Sequence, residues 1–127
     1  MQLDTGDQIS SSNANWEFKG KMVNHFDTHI ANSVPLYNEG HDLVHKISDF
    51  FISDQSLCYE IGSSTAKLLS GLAQRHSNKN ATFVGIEIEK DMHQKAVEKT
   101  KTIPSIQLIN ENILDFPLEK SDFIVCY

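Results

Sequence analysis

Residues 57–66 read LCYEIGSSTA: a short apolar run, an acid, one glycine and then small residues. Leu57 to Ile61 has the composition of a buried strand, and 63–76 carries Ala66, Leu69, Leu72 and Ala73 at the spacing of a helix's inward face. A strand that turns through a glycine into a helix opens many α/β sheets. In such sheets ligands bind outside the carboxyl ends of the strands, where the strand order reverses.

Downstream the alternation continues. ATFVGIEI (81–88) predicts a second strand, and KDMHQKAVEKTK (90–101) a helix with Met92, Ala96 and Val97 on its apolar stripe. SIQLIN (105–110) predicts a third strand, ILDF with Pro117 a connection, and DFIVCY (122–127) a fourth strand. This rhythm predicts an α/β fold, a parallel sheet with flanking helices and right-handed crossovers. No internal repeat is visible.

Upstream, KMVNHFDTHIAN (21–32) sets Met22, Val23, Phe26 and Ile30 at helical spacing, and SVP at 33–35 ends that helix because the residue before Pro35 is pushed out of helical geometry. NEGHDLVHKISDFFI (38–52) predicts a second helix covering the core through Leu43, Val44, Ile47, Phe50 and Phe51. Residues 1–15 are polar and poor in large apolar groups, which predicts a flexible tail before a domain at 16–127. Trp16 and Phe18 read as an aromatic pair packing that terminus.

Composition narrows the function. The 127 residues are 39% hydrophobic and 22% charged, as in an ordinary globular domain. No apolar stretch has the length of a membrane span, and the amino terminus lacks a signal-peptide pattern, so the expectation is a cytoplasmic protein. A net charge of -6 supplies no electrostatic reason for direct nucleic-acid binding. Arg75 is the only arginine, although carboxylate and phosphate recognition favours guanidinium. Cys58 and Cys126 lie in apolar runs without CxxC spacing, which predicts buried reduced thiols.

The turn itself asks for a particular ligand. Gly62 lets backbone approach a ligand closely, but the G-x-G-x-x-G pattern of dinucleotide sites is absent, which weakens an NAD oxidoreductase reading. Glu60, two residues before that glycine, favours a cationic group; a sulfonium cofactor with an amino group suits it. Glu87 ends the second predicted strand, where an acid can accept both hydroxyls of a ribose. Glu89 follows it, and Asn112 follows the third strand, where an amide can read an adenine edge. Singly, each is also what a solvated surface residue looks like. His25 with His29 and His41 with His45 are spaced as metal-ligand pairs, but no further ligand completes either set, so no metal is expected. Ser63 and Ser64 lack the GxSxG context of a nucleophile.

With EIGSSTA, GIEIEKDM, NENILDF and SDFIVCY in place, residues 16–127 resemble the class I S-adenosylmethionine-dependent methyltransferases, whose sheet is Rossmann-like. FDTHIANSVPLYNEGHDLV before YEIGSSTA looks most like the carboxy-S-adenosylmethionine synthase group, once described as tRNA (cmo5U34) methyltransferases and so tied to tRNA modification. In that group an SVPxY segment precedes a DxGCSxG loop. The resemblance implies that Tyr37 reaches over the cofactor, that Gly62, Ser63 and Ser64 meet its amino-acid end, that Glu87 holds the ribose, and that Asn112 and Ile113 flank the adenine. The departures are Glu60 for Asp, Ser63 for Cys, Ala66 for Gly and Ile88 for a polar residue.

The superfamily's sheet continues beyond a fourth strand. The chain is therefore expected to be an amino-terminal portion, truncated after about four strands. The implied chemistry is group transfer at a sulfonium centre, by methyl transfer or by carboxy-S-adenosylmethionine synthesis from a small carboxylate. S-adenosylmethionine, its carboxy derivative or S-adenosylhomocysteine would be bound, and the substrate would be a small molecule. The alternative is a non-catalytic cofactor-binding or dimerisation module of the same fold. An exposed last strand invites a homodimer. No catalytic residue is assigned.

Overall fold

The computed structural model describes residues 3–4, 10–12, 15–16 and 20–127, with side chains from residue 23 onward. Leu3–Asp4 (β1), Ser10–Ser12 (β2) and Asn15–Trp16 (β3) pair as a small antiparallel sheet. The rest of the expected tail, Phe18 and the side chains of Trp16 and Met22 lie outside the described residues.

A 3-10 turn over Gly20–His25 leads into α1 (Phe26–Ser33), and α2 follows at Tyr37–Ser48. Then come β4 (Leu57–Ile61), α3 (Lys67–Arg75), β5 (Thr82–Ile86), α4 (Lys90–Thr100), β6 (Ile106–Ile109) and β7 (Phe123–Val125). The main sheet is parallel in the order β6-β5-β4-β7, with Glu60 opposite both Gly85 and Val125. This is the Rossmann-like α/β arrangement expected from the alternation.

Period-2 alternation divides the sheet between two apolar clusters. Cys58, Phe83 and Val125 join Leu68, Leu69, Leu72 and Ala96 on one face. Tyr59, Val84 and Ile86 meet Ile113 and Phe116 on the other. Val23, Phe26 and Met92 form a third cluster, where the 3-10 turn lies against α4.

Several expectations are corrected. The helix after β4 starts at Lys67 rather than residue 63, because Ser64 and Ala66 take positive φ and the chain is still turning. The stripe of α2 that faces the protein is His41, Val44, His45 and Ser48, while Leu43 and Ile47 point outward and Phe50 and Phe51 lie exposed beyond the helix end. The cause is polar packing: His45 fills the space a side chain at Gly71 would need, and Ser48 shares a buried 2.8 Å hydrogen bond with His76 Nε2. Val97 is exposed on α4, and Cys126 is exposed one residue past β7, whereas Cys58 is buried as expected, its thiol pushed up to about 12 by burial and the nearby Glu60 charge.

Candidate functional site

The sheet's switch point lies at β4. β5 and β6 extend to one side and β7 to the other, so the crevice at the carboxyl end of β4 is where this topology places a ligand. Residues 62–65 line it. Gly62 holds φ at 73°, and a Cβ built there would meet nothing within 4 Å. Its glycine is required by conformation, and its backbone is open to a ligand. Gly62 N and Ser63 N donate to Ile86 O at 2.8 and 3.1 Å, tying the loop to β5.

Two clefts meet at Gly62. The wider, about 160 Å³, is lined by Gly62, Ile86, Glu87, Ile88, Asn112 and Ile113, among others. Glu87 is 7% exposed; its Oε2 accepts from Ser64 N at 2.7 Å and its Oε1 from Glu89 N at 2.8 Å. A carboxylate has about four acceptor sites, so two bonds leave room for a diol. Asn110 Nδ2 donates to Glu87 O at 2.8 Å and Ile88 O at 3.1 Å, fixing the backbone behind the acid. Asn112 Oδ1 accepts from Leu114 N at 3.0 Å, which holds the turn after β6, and Ile113 packs on the Tyr59 cluster to give an apolar wall.

The second cleft is narrow, about 60 Å³, and its walls include Tyr37, His41, Glu60, Ser63, Lys67 and Tyr127. Burial pushes the Glu60 carboxyl up to about 8; the Glu87 charge adds to this, and a backbone hydrogen bond at Leu69 opposes it. Its Oε2 and the Ser63 hydroxyl are buried without a hydrogen-bond partner among the described residues. Buried polar atoms are rarely left so, and here both line a cleft that a polar ligand group could enter. The His41 ring lies 4.3 Å from Tyr37 and 5.0 Å from Tyr127, and Tyr127 Oη donates to Tyr37 O at 3.2 Å. Burial, with Lys67 and His45 adding, pushes the His41 imidazole down to about 4, so it is neutral at ordinary pH. Behind the loop, Thr65 Oγ1 and Lys99 Nζ donate to the two oxygens of Asp27 at 2.5 and 2.6 Å.

The sequence-predicted residues therefore gather around one crevice. Tyr37, Glu60, Ser63 and Ser64 line the narrow cleft, Glu87, Asn112 and Ile113 the wide one, and Gly62 both. Missed were His41, Lys67, Tyr127, Asn110 and Glu111. His41 had a signal, being one helical turn after Tyr37; Tyr127 had none, because its place depends on β7 crossing back beside β4. Arg75, at the far end of α3, is held in a two-bond pair with Asp49 at 2.7 and 2.6 Å. Among the described residues no three His, Cys, Asp or Glu form a metal-ligand group.

No family model matches the chain. It is 34% identical over 110 residues to the carboxy-S-adenosyl-L-methionine synthase of Staphylococcus epidermidis, covering 86% of this chain and 47% of that protein. The enzymes of the same name from Sulfurimonas denitrificans and Nautilia profundicola are 30% and 32% identical, each alignment covering 87% of this chain and 47% of the relative. The chain thus spans about half the length of the curated relatives it matches. Among solved structures, a putative S-adenosyl-L-methionine-dependent methyltransferase from Methanococcus maripaludis superposes with a TM-score of 0.67 at 20% identity, covering 91% of this chain and 53% of that one. One from Aquifex aeolicus gives 0.64 at 17%, covering 87% and 57%. The relatives are the group that the SVPLY and EIGSSTA segments resemble, and the solved structures share the fold.

Proposed function

We propose that this chain is the S-adenosylmethionine-binding, amino-terminal part of a transferase that works at the cofactor's sulfonium centre. The carrying observation is that two clefts, each with a buried acid, Glu87 in one and Glu60 in the other, meet at the bare backbone of Gly62. The nucleoside fits the wider cleft, its ribose hydroxyls on Glu87 and its base between Ile88 and Ile113 beside Asn112. The amino-acid end fits the narrow one, with its ammonium toward Glu60, Ser63 and Ser64 close by, and Tyr37 over it. A nicotinamide dinucleotide fits poorly, since two acids oppose its pyrophosphate and the side chains of Ser64 and Lys67 stand where the second and third glycines of that motif would be.

When bound, the cofactor supplies an electrophilic methyl group on sulfur. The chain's own part is orientation: the 62–66 loop and Glu87 fix the nucleoside, and Tyr37, His41 and Tyr127 shield the sulfonium end from water. The names of the relatives favour carboxy-S-adenosylmethionine synthesis from a small carboxylate over methyl transfer to an acceptor. The net charge of -6 favours a small-molecule substrate over direct RNA contact. Among the described residues no helix is long and apolar enough to cross a membrane, and this reading places the protein in the cytoplasm. It includes self-association of the protein as a homodimer, with half-exposed Ile124 of β7 as an apolar contact. Size-exclusion chromatography that finds only monomer would remove that part.

A non-catalytic version of the same module has one supporting observation: each group placed here meets cofactor, and none is positioned as an acid or base for a second substrate. Label transfer from cofactor to a small acceptor distinguishes the two. Calorimetric titration with S-adenosylmethionine and S-adenosylhomocysteine tests the site itself. Saturable binding, weakened at least tenfold in Glu87→Ala, is expected; an unchanged affinity in that variant sinks the ribose assignment.

A further inference from the structure

The narrow cleft carries a positive group as well as an acid. Glu60 lines it with an oxygen that has no partner among the described residues, and Lys67, the first residue of α3, lines the same cleft. Lys67 Nζ stands 5.4 Å from the centroid of the Tyr37 ring and donates to Asn38 Oδ1 at 3.1 Å. These two contacts hold the ammonium at the rim instead of leaving it to sweep through solvent. An ammonium has three donors and no acceptor capacity, so one bond to Asn38 leaves two for a ligand. Asp27, whose charge Lys67 feels, has its two oxygens bonded to Thr65 and Lys99.

A cleft with Glu60 alone would admit any small cation. Adding a fixed ammonium penalises simple cations and rewards a ligand that presents both charges. Resting on the cofactor reading above, we infer that Lys67 anchors the α-carboxylate of the cofactor's amino-acid end while Glu60 takes its ammonium, making the narrow cleft a zwitterion site. Arg75, the chain's only guanidinium, is engaged with Asp49 and contributes nothing there.

Two ligands separate the charges from the nucleoside. S-adenosylhomocysteine carries the zwitterion; 5′-methylthioadenosine keeps the nucleoside and sulfur and lacks it. Calorimetric titration of the full chain is expected to show Lys67→Met weakening S-adenosylhomocysteine about tenfold, as loss of a charge-assisted hydrogen bond does. 5′-Methylthioadenosine should bind that variant as it binds the wild type, and Lys67→Arg should restore most of the loss. Lys67→Gln, which can keep a bond to Asn38 without the charge, should behave like Lys67→Met and stands in for it should that variant not fold. Unchanged S-adenosylhomocysteine affinity in these variants, with methylthioadenosine binding intact, overturns the Lys67 assignment and leaves the cofactor reading standing. Equal weakening of both ligands also overturns it, by showing that Lys67 only props the loop. A wild type that binds neither ligand removes both readings together.

Discussion

Glu87 and Ser64 are joined across the crevice by a 2.7 Å hydrogen bond in which the loop amide donates to the carboxylate. The acid that closes β5 is thus also the acceptor that shapes the turn after β4. Removing it strips an acceptor from Ser64 N and from Glu89 N, and each orphaned donor costs about 1–3 kcal/mol. Glu87→Ala is expected to lose about 2–4 kcal/mol in urea unfolding, and Glu87→Gln less, since one amide oxygen remains. Equal stability of all three proteins would separate the acid from the loop's geometry.

Glu60 couples stability to pH. Its folded pKa of about 8 lies above the ordinary carboxyl value of 4.5, so the folded state holds a proton that the unfolded chain has released across that interval. Stability from this group is therefore greatest below the unfolded pKa and falls as pH rises toward 8. Glu60→Gln, which cannot ionise, should raise Tm more at pH 8 than at pH 5. It should also abolish the proton release expected when a cationic ligand ionises Glu60, a quantity read from calorimetry in buffers of different ionisation enthalpy. A Tm gain independent of pH would contradict this account.

The loop's positive φ angles set what residue 66 can be. Ala66 is fully buried with φ at 63°. A β-branched side chain there meets both a disfavoured backbone and a filled site, so Ala66→Val should cost about 2–4 kcal/mol. Thermal unfolding measures it, and a loss below about 0.5 kcal/mol would show that the turn relaxes freely.

The buried contact between α2 and α3 is polar. Ser48 Oγ donates to His45 O at 2.6 Å and shares the bond with His76 Nε2. His76, whose pKa is lowered first by burial and then by Lys79, would lose this partner in Ser48→Ala. The expected cost is about 1–3 kcal/mol in chemical denaturation, and no loss would mean water replaces the hydroxyl.

Legibility followed periodicity. β4 was readable to the residue because Leu57 to Ile61 is a continuous apolar run around one acid, and the placement of Glu87 and Asn112 at one cleft was readable because such a sheet opens its crevice at the strand ends. Ala66 was legible only through resemblance: the DxGCSxG loop pattern ends in glycine there, and the positive φ explains why. Lys67 and Tyr127 were not legible. One needs the helix to start after residue 66, and the other needs β7 beside β4, a tertiary fact that local pattern does not carry. The face of α2 was misread for the opposite reason, since hydrophobicity marked Leu43, Ile47, Phe50 and Phe51 as inward while His41, His45 and Ser48 found buried partners.

That misreading makes a pair of substitutions informative. Phe50 is 85% exposed although it is one of the largest apolar side chains in its segment, whereas Leu72 is fully buried in the cluster under α3. Phe50→Ser should change stability by no more than about 0.5 kcal/mol, the range of exposed positions. Leu72→Ala should cost about 2–5 kcal/mol through lost transfer energy and a residual cavity. Urea unfolding of the two variants compares them directly. A large loss from Phe50→Ser that deepens with protein concentration would place that ring in a self-association contact, and a large concentration-independent loss would return α2 to the orientation its hydrophobicity suggested.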